Sequence, residues 1–296
     1  MDLYRNERGK HGKPGGRHHF LFWAFLIGVS IFILHIKLAP NGGLSAHRQI
    51  ASGDGPGTSW QTATASKETV QALEAMAGKE PKITEIVNHP RQYPERLLES
   101  LTHNPELLDF TLDYPKKKGT FNGKTDLSAK YRAGQVPLLI QWDKDWGYAP
   151  YGNGIIGLDG CGPTCLSMVA VGLTGDCSLT PKAVAEYSEQ NGYLDAKSNS
   201  TRWALMSEGA KKLGLNSREI SLDESRMIRE LTEGHPIICS MFPGDFTTVG
   251  HFIVLCDYKD GKFLIRDPNS RTRSRETWSY KKLKPQIRNL WAFSRE

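Results

Sequence analysis

Three strand-like runs near the C-terminus, PIICSM (236–241), HFIVLCDY (251–258) and KFLIRD (262–267), constrain the fold of this chain more than any other feature. Each is short, apolar and bounded by turn residues, so they read as neighbouring strands, with LWAFS (290–294) as a fourth. Upstream the period changes. CGPTCLSMVAVGL (161–173) reads as a helix with Pro163 in its first turn, TPKAVAEYSEQ (180–190) as a helix capped by Thr180, and WALMSEGAKKLG (203–214) as a third. Ser221 and Glu224 form a capping-box pattern that opens a fourth helix, and VPLLIQ (136–141) reads as a strand. Helices followed by an antiparallel sheet make an α+β arrangement, with a helical lobe packed on the sheet.

Cys161 follows Leu158-Asp159-Gly160 and opens the first of these helices. Its sulfur stands where unpaired N–H groups and the positive end of the helix dipole stabilise a thiolate. Gly162 leaves the approach open, and Pro163 gives up no hydrogen bond in the first turn. Most cysteines are structural; position at the helix start, not identity, singles this one out. The five cysteines are too few and too oddly spaced for a disulfide framework, and Cys165, Cys239 and Cys256 read as small buried hydrophobes. Cys-Gly-Pro-Thr-Cys has one residue too many for a redox pair, and two cysteines four apart on a helix do not suit a disulfide. No second close cysteine pair or His-x-x-x-His completes a zinc site, so neither a metal nor another cofactor is expected.

A thiolate nucleophile needs a base, and the region after Val136 holds two histidines, His235 and His251. His235 lies in a Glu-Gly-His-Pro turn and reads equally well as a solvated loop residue. His251 begins a strongly apolar strand after the loop PGDFTTVG (243–250), where its ring can project from the sheet edge. Asp267, sixteen residues further on, is the candidate to orient that ring. The intervening turn decides whether they meet. A two-residue Asp260-Gly261 turn places Asp267 opposite Val254, on the wrong face; a three-residue loop, Lys259-Asp260-Gly261, places it opposite Ile253 and diagonal to His251. Asp267-Pro-Asn-Ser is also strong turn chemistry in its own right.

Gln141, at the end of its run, can donate an amide N–H to an oxyanion beside the Cys161 backbone N–H, although a glutamine at a strand end is commonly just solvated. Trp142, Trp146 and Trp203, with Tyr148 and Tyr151, are candidate cleft walls, and Asp245, Phe246 and Thr247 before the base can touch substrate. Burial in the core is the ordinary fate of at least half of such aromatics.

The formal charge of +6 is partly local: Arg5, Arg8, Lys10, Lys13 and Arg17 crowd a basic tail (1–19), which argues against nucleic acid as a partner. The apolar run FLFWAFLIGVSIFIL (20–34) extends to Ala39. About twenty residues suffice to cross a bilayer, here with Lys37 snorkelling, so 20–39 reads as a transmembrane signal anchor with the tail inside and the rest exported. Secretion after signal cleavage is the alternative; Pro40 blocks a site after Ala39, which leaves Ala46. Residues 40–66, rich in Gly, Ser, Thr and Ala, read as a flexible stalk. Residues 67–130 read as a helical prefix containing two similar segments, PERLLESL from Pro94 and PELLDFTL from Pro105, each with Pro at the first helical position. Nothing in the prefix resembles a catalytic site. The remaining domain is 131–296.

The stretches VPLLIQWDKDWG (136–147), GCGPTCLSMVAVGLTGD (160–176) and GHFIVLCDYKDGKFLIRDPNS (250–270) carry a resemblance. Roughly residues 130–296 resemble the papain-like cysteine peptidases related to the bacteriocin-processing, double-glycine-leader endopeptidases (C39-like domains), specifically the stand-alone, exported relatives of the transporter-linked ones. The resemblance implies a papain-like fold, Cys161 as nucleophile, His251 as general base, Asp267 as orienting carboxylate, Gln141 as oxyanion donor and a peptide or protein substrate. The sixteen-residue spacing from His to Asp matches the papain pattern and favours the three-residue loop. One departure stands out: DKDWGYAPYGNGIIG (143–157) separates Gln141 from the cysteine, whereas in transporter-linked members the glutamine is much closer. The same frame also suits an amidase cutting peptidoglycan stem peptides, or a catalytically silent peptide-binding domain. Retention of Cys161, His251 and Asp267 together favours an active peptidase.

Overall fold

The computed structural model describes residues 65–121 and 126–296. The basic tail, the 20–39 membrane segment and the stalk through residue 64 lie outside the described residues; no helix among those described is long and apolar enough to cross a membrane.

Four helices form the prefix: α1 (Lys67–Ala77), α2 (Ile83–Asn88), α3 (Glu95–His103) and α4 (Leu108–Lys117). Ser66, the last residue assigned to the stalk, caps α1 by accepting from the Thr69 N–H. The two proline segments part here: Pro94 is the N-cap of α3, one position before the first helical residue, whereas Pro105 takes the expected first position, though of a 3₁₀ turn that runs into α4. Their leucines still face inward. Leu97, Leu98, Leu101 and Phe110 share one apolar cluster with Ile140, Trp142, Tyr148 and Ile155 from beyond the prefix. Phe110 stacks on Tyr148 with ring centroids 4.2 Å apart and planes within 6°.

A short ribbon, β1 (Pro150–Tyr151) with β2 (Gly154–Ile155), leads through α5 (Ile156–Asp159) into α6 (Cys161–Thr174) and α7 (Pro181–Gln190), the last capped by Thr180 as expected. After a second ribbon, β3 (Leu194–Asp195) with β4 (Ser200–Thr201), the 203–214 stretch holds a π-helical turn over Leu205–Gly209. Then follow β5 (Leu215–Glu219), α8 (Glu224–Thr232), β6 (Ile237–Met241), β7 (His251–Lys259), β8 (Lys262–Arg266), β9 (Thr277–Trp278), α9 (Tyr280–Leu283) and β10 (Ile287–Arg295). The cap of α8 is Asp223 rather than Ser221, because the Asp223 carboxylate accepts from the Arg226 N–H. Val136–Gln141 joins no strand. Its Leu139 and Ile140 are buried and its Val136 and Leu138 half-buried, and its backbone contacts are isolated ones, such as the Gln141 N–H on the Pro268 carbonyl at 2.7 Å.

The main sheet is antiparallel throughout, in the order β5-β10-β6-β7-β8-β9. Strand alternation sends Ile238, Phe252, Val254 and Phe293 to one face, where α6 covers them, and Ile237, Cys239, Ile253 and Leu255 to the other, where Met227 and Leu231 of α8 cover them. Helix α6 is buried from Gly162 to Gly172, which explains its unbroken apolar sequence. Only its first residue, Cys161, and its last turn reach solvent.

Because Phe110 carries the packing between the prefix and Tyr148, Phe110→Ala should cost about 3–5 kcal/mol of stability, measured by chemical denaturation of the full chain. A loss below about 1 kcal/mol would show that the prefix is dispensable to the core.

Candidate active site

Cys161 occupies the first turn of α6, where no preceding helical carbonyl reaches its N–H, and its N-cap Gly160 offers no side chain. The residue is partly exposed, unlike the eleven that follow. Gly162 is required beside it for a reason unrelated to the backbone angles: a Cβ there would meet the Thr201 side chain at 2.8 Å.

His251 opens β7, paired with Met241 at the end of β6. Asp267 follows the last residue of β8. The turn between these strands is the two-residue Asp260-Gly261, with both residues at positive φ (52° and 74°), not the expected three-residue loop. By itself that turn would put Asp267 out of register. A β-bulge at Cys256 restores it: Asp257 pairs with Leu264 and Leu255 with Ile265, so one residue of β7 is skipped. Arg266 then pairs with Val254, and Asp267, one step further, lies alongside Ile253. His251 Nε2 and Asp267 Oδ1 are 2.8 Å apart, with both side chains almost wholly buried.

Burial pulls the His251 imidazolium down, but the Asp267 carboxylate facing it, with a contribution from the Cys161 thiol, raises it from 6.5 to about 9. Burial pushes the Asp267 carboxyl up, and His251 and Arg273 together hold it below the usual carboxylate range. Sequence reasoning missed Arg273. Its Nε donates to Asp267 Oδ2 at 2.5 Å, the Asn269 N–H donates to Oδ1 at 2.8 Å, and the Ser274 hydroxyl accepts from the Asp267 N–H at 2.8 Å. Four arginines lie between 266 and 275, and nothing in their spacing distinguishes this one.

Gln141 is buried between the two halves of the site. Its backbone N–H reaches Pro268, next to Asp267, and its Nε2 donates to the Gly157 carbonyl at 2.9 Å, four residues before the cysteine. The second amide hydrogen remains for another acceptor, and Oε1 has no partner among the described residues.

The proposed cleft walls separate. Trp146 is fully buried, its indole N–H donating to the Ile140 carbonyl, so it is core and lines no cleft. Trp142 is buried against the Arg271 guanidinium with its N–H on the Asn269 carbonyl. Phe246 is likewise buried, packed on Trp278. Asp245 is exposed and tied to Gln286 and Lys282, and Thr247 bonds within its own loop to the Gly250 carbonyl. Trp203 alone among the three tryptophans stands 38% exposed, edge-on to Trp291 with Arg288 over its ring. Among the described residues, Glu230, Glu233 and His235 lie close enough to share a cation, but the buried Glu230 carboxylate is already paired with Arg218 and Arg226.

Residues 134–295 match the model of the Peptidase_C39 like family. The chain belongs to this family. Among solved structures it is similar to the peptidase domain of Streptococcus ComA, a bi-functional ABC transporter involved in a quorum-sensing pathway, at 21% identity over 46% of this chain and 92% of that one, with a TM-score of 0.35. It is also similar to a C39-like peptidase from Bacillus anthracis, at 16% identity over 55% and 96% of the two chains, with a TM-score of 0.33. No curated protein matches the chain significantly. The family span contains Gln141, Cys161, His251 and Asp267, and begins after the helical prefix.

The raised His251 midpoint has a sign. A group whose folded value lies above its free value contributes stability in full below pH 6.5, and that contribution disappears as pH rises through about 9. The unfolding free energy of wild type minus that of His251→Gln should therefore be largest below pH 6.5 and shrink toward pH 9. Denaturant titrations across that range check it, and a pH-independent difference would show that the pair carries no such linkage.

Proposed function

We propose that this C39-like domain is a cysteine peptidase working through Cys161, His251 and Asp267. The observation that carries the reading is the buried 2.8 Å contact between His251 and Asp267, set beside a half-exposed cysteine at the start of a buried helix. With Nε2 engaged by Asp267, Nδ1 is the ring nitrogen left for the thiol. The Cys161 thiol gives its proton to His251 Nδ1, and the thiolate attacks the scissile carbonyl carbon. Charge on the resulting oxyanion is met by the Cys161 backbone N–H and the second Gln141 amide hydrogen. As the C–N bond breaks, His251 returns the proton to the leaving amine. Water, deprotonated by the same nitrogen, then attacks the thioester and releases the acid.

The substrate in this reading is a peptide or protein. Exposed Trp203 and Phe242, with Arg288 lying 5.1 Å and 5.7 Å from their ring centroids, offer an apolar and cationic surface for it. The basic tail and the 20–39 apolar run support placing the domain outside the cytoplasm on a single membrane anchor.

Alkylation by iodoacetamide tests the chemistry without a known substrate. Mass-spectrometric mapping on the full chain should find Cys161 labelled fastest of the five cysteines, and His251→Ala should slow that labelling at least about tenfold near neutral pH. An unreactive Cys161, or one indifferent to His251, would point instead to a silent peptide-binding domain.

A further inference from the structure

The prefix reaches the site at two points, and both lie on segments that carry the proposed triad. Glu106, in the 3₁₀ turn before α4, holds the loop after Asp267. Its Oε1 accepts from the Ser270 hydroxyl at 2.6 Å and the Thr272 N–H at 3.2 Å, and its Oε2 from the Arg271 N–H at 2.9 Å. Two residues earlier, buried Asn104 donates its amide to the Asn269 carbonyl at 2.6 Å. On the other side of the site, Arg96 of α3 makes a two-point contact with Asp159, its NH2 2.6 Å from Oδ1 and its NH1 3.3 Å from Oδ2. The Asp159 side chain is only 6% exposed, and the residue stands two before Cys161.

The contacts to the loop continue inward. The Ser270 hydroxyl that donates to Glu106 accepts from the Arg273 N–H at 3.1 Å, and Arg273 Nε donates to Asp267 Oδ2. The Asn269 N–H donates to the other carboxylate oxygen, the one that faces His251. Glu106, Ser270, Arg273, Asn269 and Asp267, which make these links, are each at least partly buried. A carboxylate with three donors is a strong anchor because each bond is charge-assisted. Burial acts against the Glu106 charge, yet these donors hold its carboxyl below the usual range, so it stays ionised at neutral pH.

We propose that Glu106 is a positioning residue for the active site: by fixing the 269–273 loop from outside the family domain, it sets Asp267 against His251, so the helical prefix is a working part of the site rather than a spacer. The proposal rests on the peptidase reading only for its catalytic consequence; the placement of Asp267 against His251 is testable separately. A cleavable or optional prefix is excluded by it, because residues 134–295 alone would hold Cys161, His251 and Asp267 without the clasp that aligns the last two.

The test compares wild type, Glu106→Gln and Ser270→Ala in the full chain by NMR titration of the His251 ring, with Cys161 alkylation followed in parallel. Glu106→Gln should lower the His251 midpoint by roughly one pH unit, the order expected when a charge partner is misaligned, and Ser270→Ala should shift it in the same direction. Glu106→Gln should also slow Cys161 alkylation about tenfold near neutral pH. A merely structural Glu106 would lower the melting temperature and leave the His251 midpoint in place, and that result overturns the proposal. Ser270→Ala covers the case in which Glu106→Gln fails to fold, since the Arg271 and Thr272 contacts to Glu106 survive in it; an unmoved midpoint there likewise overturns the relay. The two readings fail separately. If His251→Ala leaves alkylation unchanged while Glu106→Gln moves the midpoint, the peptidase reading falls and the positioning role stands.

Discussion

Burying the Asp267 carboxylate is the constraint around which this site is arranged. Removing an ion from water costs several kcal/mol even after the protein relaxes, and that cost is met only if charges and donors surround it. Asp267 has no exposed surface and is met by an imidazole, a guanidinium and a backbone N–H, each at 2.5–2.8 Å. These partners come from β7, from the loop after β8 and from the turn that Asp267 itself opens. The turn reading and the orienting reading of this residue are therefore one arrangement: Ser270 N–H bonds the Asp267 carbonyl while the side chain faces His251.

The hairpin shows how a correct juxtaposition can be reached by a different backbone route. Spacing alone allows two loops, of which the three-residue one brings Asp267 to the face of His251. The chain instead makes the tighter Asp260-Gly261 turn, whose two positive φ values match the twist of a hairpin, and skips Cys256. Either device moves the register by one residue. A bulge leaves no mark in the sequence comparable to Asn-Gly or Asp-Gly at a turn, because the skipped residue can be of almost any type. The face on which Asp267 lies was legible; the means was not.

Legibility follows the range of the interaction. Cys161 could be read because a helix start is a local feature, flagged by Gly160, Gly162 and Pro163. The strands β6, β7 and β10 could be read because burial of both faces makes much of their length continuously apolar, and β8 because its buried Phe263 and Ile265 alternate with less buried residues. What escaped depends on partners distant in sequence. Trp146 is core, in one apolar cluster with residues of α6 and with Lys130 over its ring, and Val136–Gln141 joins no strand although its run is apolar. Arg273 and Glu106 were invisible for the same reason: their contacts span the loop and, for Glu106, more than 160 residues of chain.

The two ends of the proposed triad are supported by different physics. Cys161 sits at the end of a fourteen-residue helix buried along most of its length, so close packing in an apolar core fixes its position. Asp267 sits just past the end of a strand, in a loop that mixes buried residues with partly exposed ones and is held largely by polar contacts. A loop can be held as firmly as a helix only by directed bonds to a rigid body. The prefix supplies that body: α3 and α4 are fixed to the rest of the fold by the Phe110–Tyr148 stack and the shared apolar cluster, and from them Asn104 and Glu106 extend to the loop. Hydrophobic burial thus anchors Cys161 directly and Asp267 at one remove, through the polar clasp that the buried prefix presents.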